Sequence, residues 1–252
     1  GTNRLELEAK VPYVYRSDNL SVTIPTLPRD PQSGEPPEIA RGLNGDGLGD
    51  IELALHYQIN RGLNGWPFFV GNVRWKSDTG EGPFDVDRDA FGVETELPTG
   101  SGFHSLEPSV TVLYPSDPAV FFANIGYLLN MEDDIDMTFV TQIDAPSGEE
   151  TQTIGTVDPG DVFRFSFGMG YALNERSSFT LGYKHDFINE TDTEINSVTV
   201  PSASLDVGSL LVGWGYSITN RFATNLNLEL GITDDAPDVL MTLRVPILAH
   251  QF

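Results

Sequence analysis

The sequence predicts an all-β fold: a transmembrane antiparallel up-and-down β-barrel of about 10–12 strands, with short periplasmic turns and long acidic extracellular loops. Residues 163–171 alternate large apolar side chains such as Phe163 and Phe165 at odd positions with small or polar ones such as Ser166 at even positions. Such a strand has one apolar and one polar face, as expected where lipid lies outside and water inside. No run of about 18 apolar residues could form a transmembrane helix. A closed barrel is then the main remaining way to span a bilayer.

Segments of about ten alternating residues recur along the chain, separated by residues that favour turns. The ten segments are 4–15, 50–60, 66–76, 104–114, 119–129, 161–173, 178–188, 205–218, 222–232 and 238–248. Short connections cover 61–65, 115–118, 174–177 and 219–221, and long ones cover 16–49, 77–103, 130–160 and 189–204, with a tight tip at 234–237. Short turns on one side and long loops on the other are typical of outer-membrane proteins, with the long loops outside the cell.

The chain of 252 residues fits one barrel domain, residues 1–252. Tyr171–Arg176 and Tyr216–Arg221 repeat one pattern, with an aromatic residue at a strand end and an arginine closing a short turn. Residues 1–4 resemble the second half of the same turn, which indicates that upstream strands are missing. Ten strands would close as an even number, and a missing hairpin would raise the count to twelve.

Composition excludes several classes of protein. The net charge of −23 and the pI near 4.2 argue against binding of nucleic acid, because such a surface repels phosphate. Cysteine is absent, which excludes disulfides and Cys-metal sites and is compatible with a periplasmic route. Together with the strand pattern, these features indicate the bacterial outer membrane.

Sorting each strand by parity separates two faces. The proposed lipid face is apolar, with residues such as Leu5, Leu7 and Phe121. The proposed lumen face has seven basic and seven acidic residues and one histidine: Arg4, Glu6, Glu8, Lys10, Glu52, His56, Arg74, Lys76, Glu107, Arg164, Lys184, Asp186, Asp206, Glu229 and Arg244. This set could form a polar pore wall, or its charges could neutralise one another in a narrow lumen that need not conduct.

The long loops contain most of the acidic residues of the chain and only four basic ones, Arg16, Arg29, Arg41 and Arg88. An anionic rim of this kind would concentrate cations and repel anionic solutes. The alternative is a solvated acidic surface typical of a salt-tolerant protein.

Two loop segments resemble calcium loops. Asp85, Asp87, Asp89 and Glu96 stand at relative positions 1, 3, 5 and 12, a spacing that wraps a hard cation in oxygen ligands, although Ala90 occupies the sixth position, where the turn requires glycine. Segment 44–50 resembles a propeller-type Ca²⁺ loop but lacks its first aspartate, and Asx-Gly pairs are also common where loops turn into strands. Calcium is the only cofactor that the sequence suggests.

Motifs of enzymes are weak in this sequence. The four histidines, His56, His104, His185 and His250, lie on different strands or at the terminus, and only His104 has a neighbouring nucleophile, Ser105. No G-x-S-x-G, H-E-x-x-H or glycine-rich phosphate loop is present. The sequence therefore predicts that the protein is not an enzyme.

Four segments, 4–16, 47–50, 159–161 and 168–176, resemble the outer-membrane transporters of the MetA phenol-degradation pathway. That group is similar to the barrel of FapF, the secretion channel for functional-amyloid subunits of pseudomonads. The resemblance implies a twelve-stranded, trimeric barrel. In FapF an N-terminal plug helix and a coiled coil gate the pore, and neither is found in this chain.

The sequence thus favours a Gram-negative outer-membrane channel or transporter, porin-like, with a mixed-charge lumen that passes a polar solute or secretes an amyloid-type polypeptide. One alternative is a diffusion channel for small hydrophobic or aromatic compounds, and another is a structural or adhesion barrel that acts through its loops. The expected partners are outer-membrane lipid, the other subunits of a homo-trimer and the barrel-insertion machinery, which would read the C-terminal strand and Phe252.

Overall fold

The computed structural model describes residues 4–23, 38–89, 93–145, 148–219 and 222–244. Phe252, His250 and Ala90 lie outside the described residues. In the described part the chain forms sixteen β-strands and one turn of 3-10 helix, Leu63–Gly65. No helix in this part is long and apolar enough to cross a membrane.

Ten of the strands form one antiparallel up-and-down sheet, in which each strand is paired with its neighbours in chain order. They are β1 (Leu5–Lys10), β4 (Glu52–Gln58), β5 (Phe68–Lys76), β6 (Ser105–Ser116), β7 (Ala119–Asn130), β10 (Val162–Ala172), β11 (Ser177–Ile188), β14 (Leu205–Ser217), β15 (Ala223–Gly231) and β16 (Val239–Arg244). Each corresponds to one of the ten segments predicted from the alternation, which confirms the fold class. The sheet is not closed, since β1 and β16 are its two edges, but its order is consistent with a barrel.

The long connections contain three further hairpins that the alternation did not predict. They are formed by β2 (Tyr13–Thr23) with β3 (Glu38–Leu48), β8 (Asp133–Ala145) with β9 (Gly148–Asp158), and β12 (Asp192–Ile195) with β13 (Val198–Pro201). β12 also pairs with β9, so the last two hairpins form a four-stranded sheet. Most of these strands lack a continuous apolar face; β3, for example, contains three glycines and three charged residues. Each hairpin lies in the chain between two strands of the ten-stranded sheet, β1 and β4, β7 and β10, or β11 and β14, and continues from their ends.

Register divides the ten-stranded sheet into two faces. Arg164 is paired with Asp186 and Ser166 with Lys184, so these polar residues share the face that we call the inner face. Phe163 and Phe167 occupy the other, outer face, where large apolar side chains are exposed: 52% for Phe167, 53% for Trp214 and 78% for Leu7. Exposed apolar surface of this extent is stable in contact with lipid but not with water.

In connection 77–103, between β5 and β6, the described residues, 77–89 and 93–103, form no part of any sheet. An isolated β-bridge joins Arg88 to Glu94. The loop nevertheless contains Val86, one of the most buried apolar residues in the described part of the chain, and it contacts β3, where Leu43 is only 2% exposed. We call this segment loop 77–103.

Candidate functional site

A continuous row of ion pairs crosses the inner face. Its eight residues alternate in charge along the row, which we call the ion-pair belt: Lys10, Glu52, Arg74, Glu107, Arg164, Asp186, Lys184 and Glu229. The N–O distances are 2.8 Å for Lys10–Glu52, 3.1 Å for Arg74–Glu52, 3.2 Å for Arg164–Glu107, and 3.5 Å for each of Arg164–Asp186, Lys184–Asp186 and Lys184–Glu229. Arg74 also pairs with Glu107. Every internal member of the belt thus has an oppositely charged residue on each side.

Glu107 is at the centre of the belt. Its carboxylate is shared by Arg74 on the adjacent strand β5 and by Arg164 on β10, which reaches it across β7, and Glu107 is only 7% exposed. A carboxylate removed from water to this extent requires compensation by cations and hydrogen bonds. Here the two guanidinium groups supply both.

Uncharged polar side chains form a second row beside the belt. Asn72 donates hydrogen bonds to Ser109 at 3.2 Å and Thr111 at 3.1 Å, and Asn124 donates to Thr111 at 2.8 Å. His56 Nδ1 lies 2.8 Å from Asn72 Oδ1. These amides and hydroxyls can donate to and accept from a small neutral solute.

Towards the short turns the inner face becomes apolar. Phe68 is paired with Leu113, and Leu113 with Phe122, in one row across β5, β6 and β7. The row continues through Gly168 and Gly182. A Cβ atom on Gly168 would lie 2.7 Å from Cζ of Phe122, so the absence of side chains makes room for this ring.

The polar row and five members of the ion-pair belt line one cavity of about 690 Å³; the five are Lys10, Glu52, Arg74, Glu107 and Arg164. Of the residues predicted to face the lumen, Glu6, Glu8, His56 and Arg244 also line this cavity, and Arg4 lines a neighbouring one. Lys76 lies at the extracellular rim, where it contacts Asp50. Strands β1 and β16, at opposite edges of the sheet, thus contribute to the same cavity.

The prediction that Asp206 faces the lumen was wrong. Asp206 is paired with Phe187 on the outer face, its side chain is 67% exposed, and its nearest charged partner is His185, at 3.9 Å. The reason is register: Ser209 is paired with Lys184, so it is the odd residues of β14 that share the inner face. His185 belongs to an outer-face cluster of aromatic rings with Phe165, Tyr183 and Phe187.

Sequence reasoning missed the polar row and one carboxylate, Asp50. Asn72 and Ser109 have the same parity as the charged residues of their strands, and Asn124 has the parity opposite to Phe121 on its own strand, so this signal could have identified them. Asp50 lies between β3 and β4 and accepts hydrogen bonds from Lys76 Nζ at 3.0 Å, from Ser101 N at 2.9 Å and Oγ at 2.7 Å, and from Gly80 N at 3.1 Å. Burial raises the pKa of Asp50, but the bonds from Ser101 and Lys76 outweigh burial and hold the pKa below its ordinary value.

The predicted calcium ligands have other partners. Asp85 Oδ2 accepts a hydrogen bond from Gly82 N at 3.1 Å, Glu96 Oε1 accepts one from Asp87 N at 3.1 Å, and Asp89 Oδ2 is 2.9 Å from Arg41 Nη2. In the described ranges, no group of three or more His, Cys, Asp or Glu residues could hold a metal ion. Asp85, Glu96 and Asp89 thus each have a backbone N–H or arginine partner, and calcium binding at these residues stays a prediction. In the second segment that resembles a calcium loop, 44–50, residues 44–48 belong to β3 and Asp50 binds loop 77–103.

Comparison with known proteins identifies one matching family. The family model described as "Putative MetA-pathway of phenol degradation" matches residues 11–247. Among solved structures, the chain is similar to the P. putida toluene transporter TodX, with 11% identity, a TM-score of 0.43, and coverage of 100% of this chain and 69% of that one. The resemblance to FapF is not confirmed. The amphipathic ten-stranded sheet and the family match are those of an outer-membrane transport protein, not of an enzyme.

Proposed function

The chain belongs to the MetA-pathway phenol-degradation family, and from this premise we propose that it is a diffusion channel for small uncharged aromatic compounds of the phenol type. The inner face offers such a compound two kinds of surface. Amides and hydroxyls of Asn72, Thr111 and Asn124 can bind one hydroxyl group, and Phe68 and Phe122 can contact a ring.

The observation that supports this proposal best is the charge balance of the ion-pair belt. Its cations and anions alternate along the inner face. Fields of alternating sign cancel over a short distance, so the wall does not favour either sign of ion as strongly as a single-sign wall would. A neutral solute passes such a wall without displacing a counter-ion.

Neither the family nor the inner face supports the other two predicted functions. Export of an amyloid-type polypeptide and adhesion through the loops therefore have no observation in their favour. The homo-trimer and the contact with the insertion machinery stay predictions.

The proposal can be tested by recording potassium currents through the purified protein in planar bilayers. Phenol added at neutral pH should interrupt the current in a concentration-dependent way, and benzoate, which has the same ring but a negative charge, should be weaker by about tenfold in apparent affinity. A bilayer without protein controls for the partition of phenol into lipid. Equal effects of phenol and benzoate, or no effect of phenol, would contradict the proposal.

Two adjacent phenylalanines provide a matched pair of variants. Phe122 is on the inner face, whereas Phe121 is on the outer face and 46% exposed. Phe122→Ala should weaken the interruption by phenol, and Phe121→Ala should leave it unchanged. The reverse result would place the aromatic contact outside the channel.

A further inference from the structure

Loop 77–103 lies on the inner side of the extracellular mouth. Lys10 and Glu52 are paired on the inner face, so the even-numbered residues of β1 and β2 belong to the inner side. Val14 is one of these residues, and it is paired with Gly47. One extra residue between β3 and β4 shifts the register by one position. The odd-numbered residues of β3, including Gly45, therefore face the inner side. Leu97 N donates a hydrogen bond to Asn44 O at 3.2 Å, and a Cβ atom on Gly45 would lie only 1.9 Å from Leu97 O. The loop thus packs directly against the inner side of this hairpin.

The loop is held there by buried polar contacts at its base. Thr99 Oγ1 donates to Leu48 O at 2.8 Å, Thr79 Oγ1 donates to Gly49 O at 3.2 Å, and Asp50 binds both limbs of the loop through Gly80 and Ser101. The limbs touch each other, since a Cβ atom on Gly80 would lie 2.6 Å from Cα of Gly100. Many buried hydrogen bonds at the base make opening of a segment costly. This geometry is that of a fixed structure and not of a mobile lid.

Four carboxylates of this loop form no ion pair in the described part of the chain: Glu81, Asp85, Asp87 and Glu96. They are close enough to repel one another. The pKa of Glu81 is raised, first by burial and then by the charges of Glu96, Asp87 and Asp85. The mouth therefore has a negative field where the belt below it is balanced.

We infer that loop 77–103 is a fixed constriction of the mouth and that Glu81, Asp85, Asp87 and Glu96 select against anionic solutes. The inference rests on the proposed function and deepens it, because it names the element that separates a neutral phenol from an aromatic anion. Repulsion acts before the solute reaches the wall. The wall itself then needs no net charge.

Ion selectivity tests this inference without any aromatic compound. The reversal potential in a KCl gradient should show a preference for K⁺, and the variant E81Q/D85N/D87N/E96Q should lose most of it at low salt. The amides keep the hydrogen-bond acceptors of these side chains. If the fourfold variant does not fold, the single variants D87N and E96Q can be measured instead, and each should show part of the loss of K⁺ preference. In molar salt, where the Debye length falls to about 3 Å, the wild-type preference should also be small.

A matched control neutralises four exposed acidic residues at and just before β8: E132Q/D133N/D134N/D136N. It removes the same charge from another long connection and should change the preference far less. An equal change would show that the total charge of the rim, and not loop 77–103, sets selectivity, and would overturn the inference. The reversal potential does not depend on phenol, so failure of the proposed function would be seen separately in the current interruptions.

A disulfide tests whether the constriction is fixed. A Cβ atom on Gly47 would lie 3.6 Å from Thr99 Cγ2, and the chain has no cysteine of its own, so G47C/T99C should link the loop to β3. With this bond formed, the conductance should equal that of the wild-type protein, because the bond only adds to contacts that already fix the loop. A lower conductance of the oxidised variant than of the wild type would show that the loop opens in the native protein and would overturn its assignment as a fixed constriction.

Discussion

At the scale of single residues, Glu107 has the largest consequence, because two arginines share its carboxylate. Glu107→Gln should leave Arg74 and Arg164 with an excess of positive charge at the centre of the inner face. We expect the ion selectivity of the channel to shift towards Cl⁻, and the reversal potential in a KCl gradient would measure this shift. Removal of one partner of a buried ion pair costs about 3–5 kcal/mol, so urea unfolding in detergent should also show a large loss of stability.

Glu8→Gln is the matched control for Glu107→Gln. Glu8 also faces the cavity, but its side chain is 59% exposed and its ion-pair contact is His56, at 3.3 Å. Exposed pairs contribute little, at most about 1 kcal/mol. If both variants shifted the current equally, the central position of Glu107 would have no special role.

Asp50 makes the base of loop 77–103 sensitive to acid. Its pKa in the folded protein is below the ordinary value, so its contribution to stability is complete above the unfolded pKa of about 4 and is lost as the pH falls through the folded value. We expect steady current from pH 8 to pH 5 and increasing current noise below about pH 4. Asp50→Asn should show this noise already at pH 7, whereas Asp46→Asn, in the adjacent hairpin, should not. Steady current of Asp50→Asn at pH 7 would contradict this role.

Parity predicted most of the inner-face charges because each strand alternates strictly along its length. All eight members of the ion-pair belt were among the predicted lumen residues. Asp206 was misplaced because it stands at the start of β14, where the register with β11 and not the local pattern decides the face. The individual pairs could not be predicted, since they join residues up to 57 positions apart.

At the scale of elements, the outer face of β10 provides a test of membrane depth. Phe167 lies in the middle of the strand and Tyr171 near its short-turn end, and both are on the outer face. Phe167→Arg should cost about 2–4 kcal/mol in a bilayer, and Tyr171→Arg about 0–1 kcal/mol, because the cost of a charge falls towards the interface. Equilibrium unfolding in lipid vesicles measures both, and equal costs would argue against a midplane position of Phe167.

The sequence predicted the ten membrane strands but not the hairpins that extend from them. The membrane strands need one continuous apolar face, which gives a clear period of two. β3 and β9 are outside this constraint and are rich in glycine, threonine and charged residues. Loop 77–103 was also beyond prediction, because its position depends on contacts with β3 and Asp50 that come from distant segments.

At the scale of the whole molecule, charge is divided between two regions. The ion-pair belt is balanced, whereas the acidic excess of the chain lies mainly in the long connections. This division places the charge that acts on approaching ions outside the membrane. A wall that is neutral overall also costs less to desolvate than a wall of one sign.

The two edges of the ten-stranded sheet should pair with each other in the membrane. An edge strand in hydrocarbon would leave backbone N–H and C=O groups unsatisfied, at several kcal/mol each. β1 runs towards the long-connection side and β16 runs away from it, so the two can pair as antiparallel neighbours, and Glu6, Glu8 and Arg244 already line one cavity. We expect a disulfide between Leu7→Cys on β1 and Met241→Cys or Leu243→Cys on β16, since paired residues have Cβ atoms about 4.5–5.5 Å apart. Leu7→Cys with Leu228→Cys, one strand further in, is the control that should not cross-link. The absence of a cross-link in both β16 variants would mean that other strands lie between β1 and β16.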